Sequence, residues 1–293
     1  SCEVHHFYRY REVYIQTGAN QRLNLLKVEV KLGELVFIGL GLWDATDITV
    51  KGLNAARSAE EVYLETYTSF MGGLTKDALE TLIGKEVQLL TRKDLEENAS
   101  KLLSRAKGKR IALLVPGDPM IATTHIALRL EAERLGIKTR VVHGVSIHSA
   151  APSICGLENY KFGKSVTIPF PEEKYFPETP YLVIKENLER GLHTLVFLDI
   201  KADEKRFMTI NEAVLILLEL ERKVAPQKPL LKDTLMVGVA RVGSENPTIK
   251  ADFPQNLIKF DFGPPPHVLI VTGSLHFKER EALQLLAAAP LPP

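Results

Sequence analysis

From residue 34 onward, short apolar runs alternate with segments in which apolar residues recur every three or four positions. The runs predict strands and the periodic segments predict helices, because a strand repeats every second residue and a helix about every 3.6. Up to residue 142, the predicted strands are 35–38, 62–64, 87–90, 111–115 and 139–142, and the predicted helices are 48–58, 76–83, 91–107 and one that ends at 135. Such regular alternation favours a mainly parallel sheet with helices on both faces.

Polar residues and glycines mark the ends of several of these helices. Asp47 directly precedes the helix at 48–58 and is predicted to be its N-cap. Thr91 and Asp94 have the spacing of a capping box. Gly84 follows the helix at 76–83 and can adopt the left-handed conformation that a C-cap requires.

After residue 142 the pattern becomes less regular. Residues 160–180 are rich in proline, glycine and aromatic side chains, which favours a boundary between domains. Around and beyond this segment, helices are predicted at 147–155, 181–190, 209–222 and 277–288, and strands at 166–168, 195–198, 235–239, 248–251 and 268–271. This mixture predicts a second, smaller α/β domain.

The pattern therefore predicts an α/β protein in three parts: an N-terminal extension at 1–33, a first domain at 34–155 and a second domain at 156–293. Within the extension, residues 23–32 could add an edge strand. His5 and His6 are adjacent there, but no carboxylate or cysteine stands at ligand spacing. We therefore expect no metal ion to bind this pair.

Composition and charge exclude several classes of protein. The formal net charge of +1 creates no overall field that would attract nucleic acid or an anionic membrane. No apolar run reaches the roughly 20 residues needed to cross a bilayer, and the N-terminus lacks the apolar core of a signal peptide. The two cysteines, Cys2 and Cys155, are far apart, which excludes a disulfide framework. We expect a cytoplasmic protein that binds neither nucleic acid nor membrane.

The segment Pro116-Gly117-Asp118-Pro119 directly follows the apolar run at 111–115. Proline restricts φ and glycine permits positive φ, so this turn is both tight and stiff. An acid at the end of a strand projects into the region where open α/β sheets bind ligands. From this local pattern alone, Asp118 is equally well explained as the N-cap of the following helix.

Other loops also follow predicted strand ends, and each of them is a candidate part of a ligand site. In a parallel sheet all these ends meet at one edge, so several weak signals combine into one candidate ligand site. The loops lie at 39–44, 66–69, 116–124 and 144–146, with two further strand ends at 197–201 and 240–243. Gly39 and Gly41 resemble a dinucleotide fingerprint, but Asp44 replaces its third glycine and would repel a pyrophosphate.

Few other residues are candidates for a catalytic or metal-binding role. His125 and His267 lie near turns, where a structural hydrogen bond is the more common role for a histidine. The sequence contains no H-x-x-x-H pair, no carboxylate facial triad, no G-x-S-x-G elbow and no P-loop. We therefore predict no metal site.

Four longer motifs make the chain resemble the diphthine synthases, which belong to the tetrapyrrole-methylase-like class of S-adenosylmethionine (SAM) methyltransferases. The motifs are GLGLWD at 39–44, YTS at 67–69, PGDPMIATTH at 116–125 and GLHTLVFLDIK at 191–201. The resemblance covers residues 34–288. It implies a two-domain class III methyltransferase-like fold, a homodimer, and SAM bound in the cleft between the two domains.

The resemblance also implies which residues hold SAM, with S-adenosylhomocysteine as the product. Carried over residue by residue, they are Leu42, Asp118, Ile121, Ser146, Ile147, Leu198, Val242 and His267. The implied protein substrate is translation elongation factor 2, which carries a histidine modified with a 3-amino-3-carboxypropyl group. Its amino group would be methylated during the biosynthesis of diphthamide.

Alternative functions remain open at this stage. The wider class includes tetrapyrrole methyltransferases, although cobalamin-pathway relatives carry Pro-Gly where this chain has Leu42-Trp43. A non-catalytic SAM-binding protein on the same fold is a second alternative, and an NAD dehydrogenase is the fallback. The catalytic base is unknown, with Asp44 and Asp199 as guesses.

Overall fold

The computed structural model describes residues 8–17, 22–31, 33–172 and 175–292, which form two compact units. The first unit contains the chain up to Gly39 together with Ile48–Thr66 and Lys76–Gly144. The second unit contains Leu40–Asp47, Tyr67–Thr75 and the chain from Val145 onward. Each unit is described separately below.

Among its described residues, the first unit has seven strands and five α-helices. In chain order they are β1 (Tyr8–Thr17), β2 (Arg22–Lys31), β3 (Glu34–Gly39), α1 (Val50–Ser58), β4 (Glu61–Glu65), α2 (Lys76–Ile83), β5 (Val87–Leu90), α3 (Arg92–Glu96), α4 (Ala99–Ala106), β6 (Arg110–Val115), α5 (His125–Arg134) and β7 (Lys138–Val142). All five strands predicted for this region are confirmed, within one residue at each end.

A five-stranded parallel sheet forms the centre of this unit, in the order β5-β4-β6-β3-β7. Leu35–Ile38 of β3 and Ile111–Val115 of β6 are buried throughout. Strands covered by helices on both faces show such continuous apolar runs rather than alternation. The carboxyl ends of β3, β6 and β7 meet at one edge of the sheet, where the candidate site begins.

Two predicted helix boundaries in this unit are wrong. Thr49, rather than Asp47, is the N-cap of α1, and its hydroxyl accepts a hydrogen bond from the Gly52 N–H at 3.0 Å. The predicted helix at 91–107 divides into α3 and α4, because the backbone and side-chain N–H groups of Asn98 both donate to the Lys93 carbonyl. The capping box at Thr91 and the left-handed Gly84 are confirmed.

The predicted edge strand at 23–32 is also corrected. Strand β2 pairs with β1 in a separate two-stranded antiparallel sheet, with Tyr8 opposite Lys31. Among the described strands, β2 has no partner in the five-stranded sheet. His5 and His6 lie outside the described residues.

The described part of the second unit contains seven strands and five α-helices. In chain order they are α6 (Ile147–Cys155), β8 (Val166–Ile168), α7 (Thr179–Glu189), β9 (Thr194–Leu198), β10 (Ile200–Lys201), β11 (Arg206–Phe207), α8 (Ile210–Val224), β12 (Met236–Ala240), β13 (Thr248–Asp252), α9 (Pro254–Leu257), β14 (His267–Val271) and α10 (Phe277–Ala287). The small hairpin of β10 and β11 and the short α9 were not predicted.

Its five-stranded sheet has the order β13-β12-β14-β9-β8 and is mixed, because only β8 and β9 run parallel. Successive residues of β12 and β14 point to opposite faces of the sheet and pack in two different hydrophobic cores. Met236 and Leu269 pack on the face covered by α8, whereas Val237 and Ile270 pack on the face covered by α6 and α10. This arrangement confirms the mixed α/β character predicted for the second half.

The compact units differ from the predicted domains at two places. Helix α6 belongs to the second unit, because Ala151 and Cys155 pack in the same core as Val237 and Ile270. The loops at Leu40–Asp47 and Tyr67–Thr75 also belong to the second unit, although the flanking strands belong to the first.

Candidate functional site

Three glycines meet where β3, β6 and β7 end. Gly39 is the last residue of β3, while Gly117 and Gly144 each stand two residues beyond their strands. A Cβ atom on Gly144 would lie 2.4 Å from the Gly117 carbonyl oxygen, and one on Gly39 would lie 2.5 Å from the same oxygen. These contacts involve backbone atoms, so only glycine fits. The three strand ends thus present bare backbone at the edge of the sheet.

Asp118 follows this glycine contact and is almost completely buried, with 6 % of its surface exposed. Its Oδ1 accepts a hydrogen bond from the Met120 N–H at 2.9 Å, which stabilises the turn. Gly117 supplies the positive φ of 71° that the turn requires. Asp118 therefore orders its own loop, but it lies seven residues before the first residue of α5, whose N-cap is Thr124, so the prediction that Asp118 caps this helix is wrong.

The second oxygen of Asp118 contacts a different strand end. Oδ2 lies 2.7 Å from Nδ1 of His143, the first residue after β7. This contact joins the loops that follow β6 and β7, on either side of β3 in the sheet. His143 was not among the predicted site residues, although a polar residue directly after a predicted strand was an available signal.

Ile121 and His125 complete the loop after β6. Ile121 is an exposed apolar side chain, with 44 % of its surface accessible, and its N–H donates to the Asp118 carbonyl. His125 is buried, and its Nδ1 lies 3.2 Å from the Pro119 carbonyl oxygen. Burial lowers the pKa of His125. His125 thus has the structural hydrogen bond expected for it.

In the second unit, three predicted residues lie at one edge of the mixed sheet. Strand β14 runs antiparallel to both β9 and β12, so its first residue, His267, stands at the edge where those two strands end. Leu198 is the last residue of β9, and Val242 lies two residues beyond β12. The register pairs His267 directly with Ala240 of β12.

Both ring nitrogens of His267 have partners within this unit. Nδ1 accepts a hydrogen bond from the Ile210 N–H at 3.3 Å, so the ring hydrogen is on Nε2, which faces the Gly263 carbonyl at 3.1 Å. Burial lowers the pKa of His267, which favours this neutral form. Any contact of this side chain with a ligand would therefore use the face of the ring.

Leu42 lies in a loop that folds around the carboxylate of Asp47. Oδ2 of Asp47 accepts hydrogen bonds from the Leu42 N–H at 3.2 Å and the Trp43 N–H at 2.7 Å. This is why Asp47 is unavailable as a helix cap. A Cβ atom on Gly243 would lie 2.8 Å from the Leu42 Cβ atom, so the loop after β12 packs directly against the Leu42 loop.

Ser146 and Ile147 begin helix α6 in the same unit. The Ser146 hydroxyl caps the helix by accepting a hydrogen bond from the His148 N–H at 3.2 Å. Ile147 and Leu42 pack against the core that contains Val242. Of the eight predicted SAM residues, the second unit therefore holds six, and three of these share one apolar cluster. Asp118 and Ile121 belong to the first unit.

The two guessed bases both have local structural roles. Asp44 accepts hydrogen bonds from the backbone N–H and the hydroxyl of Thr46, at 2.8 and 2.6 Å. Asp199 accepts hydrogen bonds from the Phe170 N–H at 2.9 Å and from its neighbour Ile200 at 2.8 Å. Each carboxylate stabilises its own turn.

Neither a metal site nor a membrane-spanning helix is found among the described residues. Among those residues, no group of three histidine, cysteine, aspartate or glutamate side chains is arranged to hold a metal ion. None of the described helices combines the length and the apolar character needed to span a membrane.

Known proteins of one family are similar to this chain over most of its length. Residues 34–246 match the family described as Tetrapyrrole (Corrin/Porphyrin) Methylases. The chain is 50% identical over 262 residues to a diphthine synthase of Methanosarcina barkeri, covering 88% of this chain and 97% of that protein. It is 50% identical over 254 residues to a diphthine synthase of Methanocaldococcus jannaschii, covering 86% of this chain and 98% of that one.

A solved structure agrees with these relatives. A crystal structure of diphthine synthase matches with a TM-score of 0.80 and 48% identity, and the match covers 88% of this chain and 97% of the other. The fold, the family match and the relatives therefore agree over both units. This chain belongs to the tetrapyrrole (corrin/porphyrin) methylases and, within them, to the diphthine synthase family.

Proposed function

We propose that this protein transfers methyl groups from SAM to the amino group of the 3-amino-3-carboxypropyl-modified histidine of translation elongation factor 2. One observation carries the proposal: relatives named diphthine synthase are 50% identical to this chain over at least 97% of their own length. These relatives thus favour the diphthamide pathway over a tetrapyrrole acceptor. In this function the protein works in the cytoplasm as a homodimer and releases S-adenosylhomocysteine.

The residues expected to hold SAM have suitable chemistry for it. SAM combines an adenosine, a positively charged sulfonium and an amino-acid group, so it requires apolar surface, carbonyl oxygens and close approach to the backbone. Leu42, Ile121 and Ile147 provide partly exposed apolar side chains. The contact of Gly39, Gly117 and Gly144 leaves no room for side chains at the strand ends. Asp118, Ser146, Leu198, Val242 and His267 complete the proposed set.

The engagement of Asp118 limits how it can contact a ligand. Its two oxygens already accept hydrogen bonds from the Met120 N–H and from His143. A carboxylate oxygen has two lone pairs, so one further acceptor site remains on each oxygen. Asp118 can therefore order its loop and contact SAM at once.

The chemistry asks little of the protein beyond positioning. When bound, SAM supplies a methyl group activated by its sulfonium. The protein has to hold the amine nitrogen in line with that methyl group, which lowers the entropic cost of reaching the transition state. It also has to keep water out. It also has to accept a proton, because an amine attacks only through a free lone pair.

The test is a methylation assay with purified elongation factor 2 that carries the 3-amino-3-carboxypropyl histidine. We expect a SAM-dependent mass gain of whole methyl groups on the peptide with that histidine. Unmodified elongation factor 2 serves as the matched control and should gain no mass.

Two further acceptors distinguish the alternatives. Methyl transfer to a precorrin or uroporphyrinogen, and none to the modified factor, would contradict our proposal in favour of a tetrapyrrole methyltransferase. SAM binding measured by calorimetry, without turnover on any acceptor, would instead indicate a non-catalytic SAM-binding protein.

A further inference from the structure

The contact between Asp118 and His143 has the geometry of a carboxylate that orients an imidazole. A carboxylate accepts hydrogen bonds, so the 2.7 Å contact between Oδ2 and Nδ1 places the ring hydrogen on Nδ1. In the neutral imidazole the lone pair is then on Nε2. Asp118 is held in turn by the Met120 N–H. One buried carboxylate therefore fixes both the orientation and the tautomer of His143.

The two members of this pair differ sharply in exposure. Only 6 % of the Asp118 side chain is accessible, whereas 75 % of the His143 side chain is accessible. Among the described residues, no group bonds Nε2 of His143. A buried acid that orients an exposed imidazole is the arrangement that many enzymes use to present a general base.

The position of His143 is also suitable for a base. It is the first residue beyond β7 and directly precedes Gly144, which is in close contact with Gly117 where β6 ends. Its partner Asp118 belongs to the proposed SAM residues. Asp44 and Asp199, the acids guessed as bases from the sequence, are occupied by their own turns.

We propose that Nε2 of His143 is the general base that removes a proton from the amino group of the substrate before methyl transfer. This proposal rests on the function proposed above. The N–H bond of the substrate ammonium breaks, its electron pair stays on nitrogen, and the proton moves to Nε2. The nitrogen lone pair then bonds to the methyl carbon as the carbon–sulfur bond breaks and its electrons remain on sulfur. Nε2 passes its proton to solvent.

Repeated methylation makes such a base more important. Each transfer onto an amine that still carries hydrogen leaves a protonated nitrogen, which cannot attack again until a proton is removed. A protein that lacks its base should therefore release partly methylated product at neutral pH.

The decisive variant is His143→Asn. The asparagine amide N–H can replace Nδ1 as a donor to Asp118, so the contact between the two loops is kept while the Nε2 lone pair is lost. We expect the rate of methyl transfer at neutral pH to fall about 100-fold, within the range known for general bases. The loss should shrink as the pH rises and solvent deprotonates the amine, and SAM affinity measured by calorimetry should change less than about threefold.

The pH dependence has to be assigned to the correct group. Asp118 is the charged residue that contacts His143, and His125 is the other histidine of the Asp118 loop, bonded through Nδ1 to the Pro119 carbonyl. The matched control is His148→Asn, an exposed histidine five residues further along, whose rate and pH profile should stay like those of the unmodified protein. If His125 caused the pH dependence of the methyl-transfer rate, that pH dependence would persist in His143→Asn.

A readout without turnover tests the tautomer directly. Nitrogen NMR of the histidine side chains should show that the neutral form of His143 carries its hydrogen on Nδ1 and none on Nε2, and this preference should be lost in Asp118→Asn. A ring with its hydrogen on Nε2 would overturn the proposal.

Kinetics give the second way to overturn it. If His143→Asn retains the full rate at neutral pH while His143→Ala loses stability, the pair only joins two loops. If the unmodified protein itself transfers no methyl group to modified elongation factor 2, the proposed function fails, and the base proposal fails with it.

Discussion

Gly144 has no room for even one additional carbon atom, because its Cβ would lie only 2.4 Å from the Gly117 carbonyl oxygen. Neither residue is near the other in the sequence, and the contact exists because β6 and β7 flank β3 and end at the same edge. Gly144 is required here for its size rather than for a positive φ, whereas Gly117 also has the positive φ of 71° that its turn requires. Single residues at this edge therefore influence both stability and the proposed ligand site.

We expect Gly144→Ala to lower the free energy of unfolding by about 1–3 kcal/mol, because the new methyl group must displace backbone. Urea denaturation followed by fluorescence measures the change. Gly108→Ala is the matched control, since nothing lies within 4 Å of a Cβ there, and it should change stability by less than about 0.5 kcal/mol. Equal stability of the two variants would show that the strand ends can move apart.

Cys155 offers a second prediction for a single residue. Its side chain is buried, and burial raises the pKa of the thiol to about 12. The thiolate is the reactive form, so Cys155 should resist iodoacetamide in the native protein and react after denaturation. The assay uses a Cys2→Ser variant and mass spectrometry. Rapid labelling of Cys155 in the folded protein would contradict this prediction.

Among the elements, helix α10 is joined to its surroundings by hydrogen bonds and ion pairs of one buried acid. Glu279, in its first turn, is fully buried and accepts hydrogen bonds from the Glu158 N–H at 2.9 Å and the His276 N–H at 2.8 Å. Its carboxylate also contacts Nζ of Lys161 and Nε2 of His193. One acid thus connects α10 to the turn after α6 and to the segment that enters β9.

This network predicts how stability depends on pH. Burial alone would raise the pKa of Glu279, but Lys161 and the donated hydrogen bonds lower it from 4.5 to about 2. Burial lowers the pKa of His193. Both groups bind protons more weakly in the folded state, so each stabilises the fold above its unfolded pKa. Stability should fall first below about pH 6.5 and then, by about 3 kcal/mol, between about pH 4.5 and 2.

We expect Glu279→Gln to cost about 3 kcal/mol at pH 7, because it leaves the partly buried Lys161 without its counter-charge. The difference from the unmodified protein should shrink toward pH 2. Glu281→Gln, which alters an exposed pair with Lys278 on the same helix, is the control and should cost less than about 1 kcal/mol. Urea unfolding across this pH range measures both. A difference that does not change with pH would contradict the assignment.

For the whole molecule, the proposed contact of Asp118 with SAM predicts a link between ligand binding and stability. The predicted SAM residues come from both compact units, and the family match at residues 34–246 includes parts of both. The net charge of +1 provides no overall attraction for a charged ligand, so affinity depends on local contacts. Removing one such contact should therefore reduce binding without changing the fold.

S-adenosylhomocysteine at about 100 times its dissociation constant should raise the free energy of unfolding by about 2.7 kcal/mol. In Asp118→Ala, a tenfold loss of affinity would make this increase about 1.4 kcal/mol smaller at the same concentration. Chemical unfolding with and without ligand measures both. Asp77→Ala, in the first turn of α2, is the control. An unchanged increase in a less stable Asp118→Ala would show that this acid only orders its loop.

The sequence determined most of the elements, because periodicity and capping are local properties of the chain. The strands at 35–38, 111–115 and 268–271 and the capping box at Thr91 follow from neighbouring residues and are confirmed within one residue. The family motifs, which are also continuous in the sequence, identified the diphthine synthase family.

Only the tertiary structure decided how distant residues combine. It showed that Asp47 holds the Leu42 loop instead of capping a helix, and that helix α6 joins the second unit. It also brought His143 within 2.7 Å of Asp118, 25 residues away in the sequence. Such contacts depend on which strands are neighbours in the sheet, and no local pattern records that order.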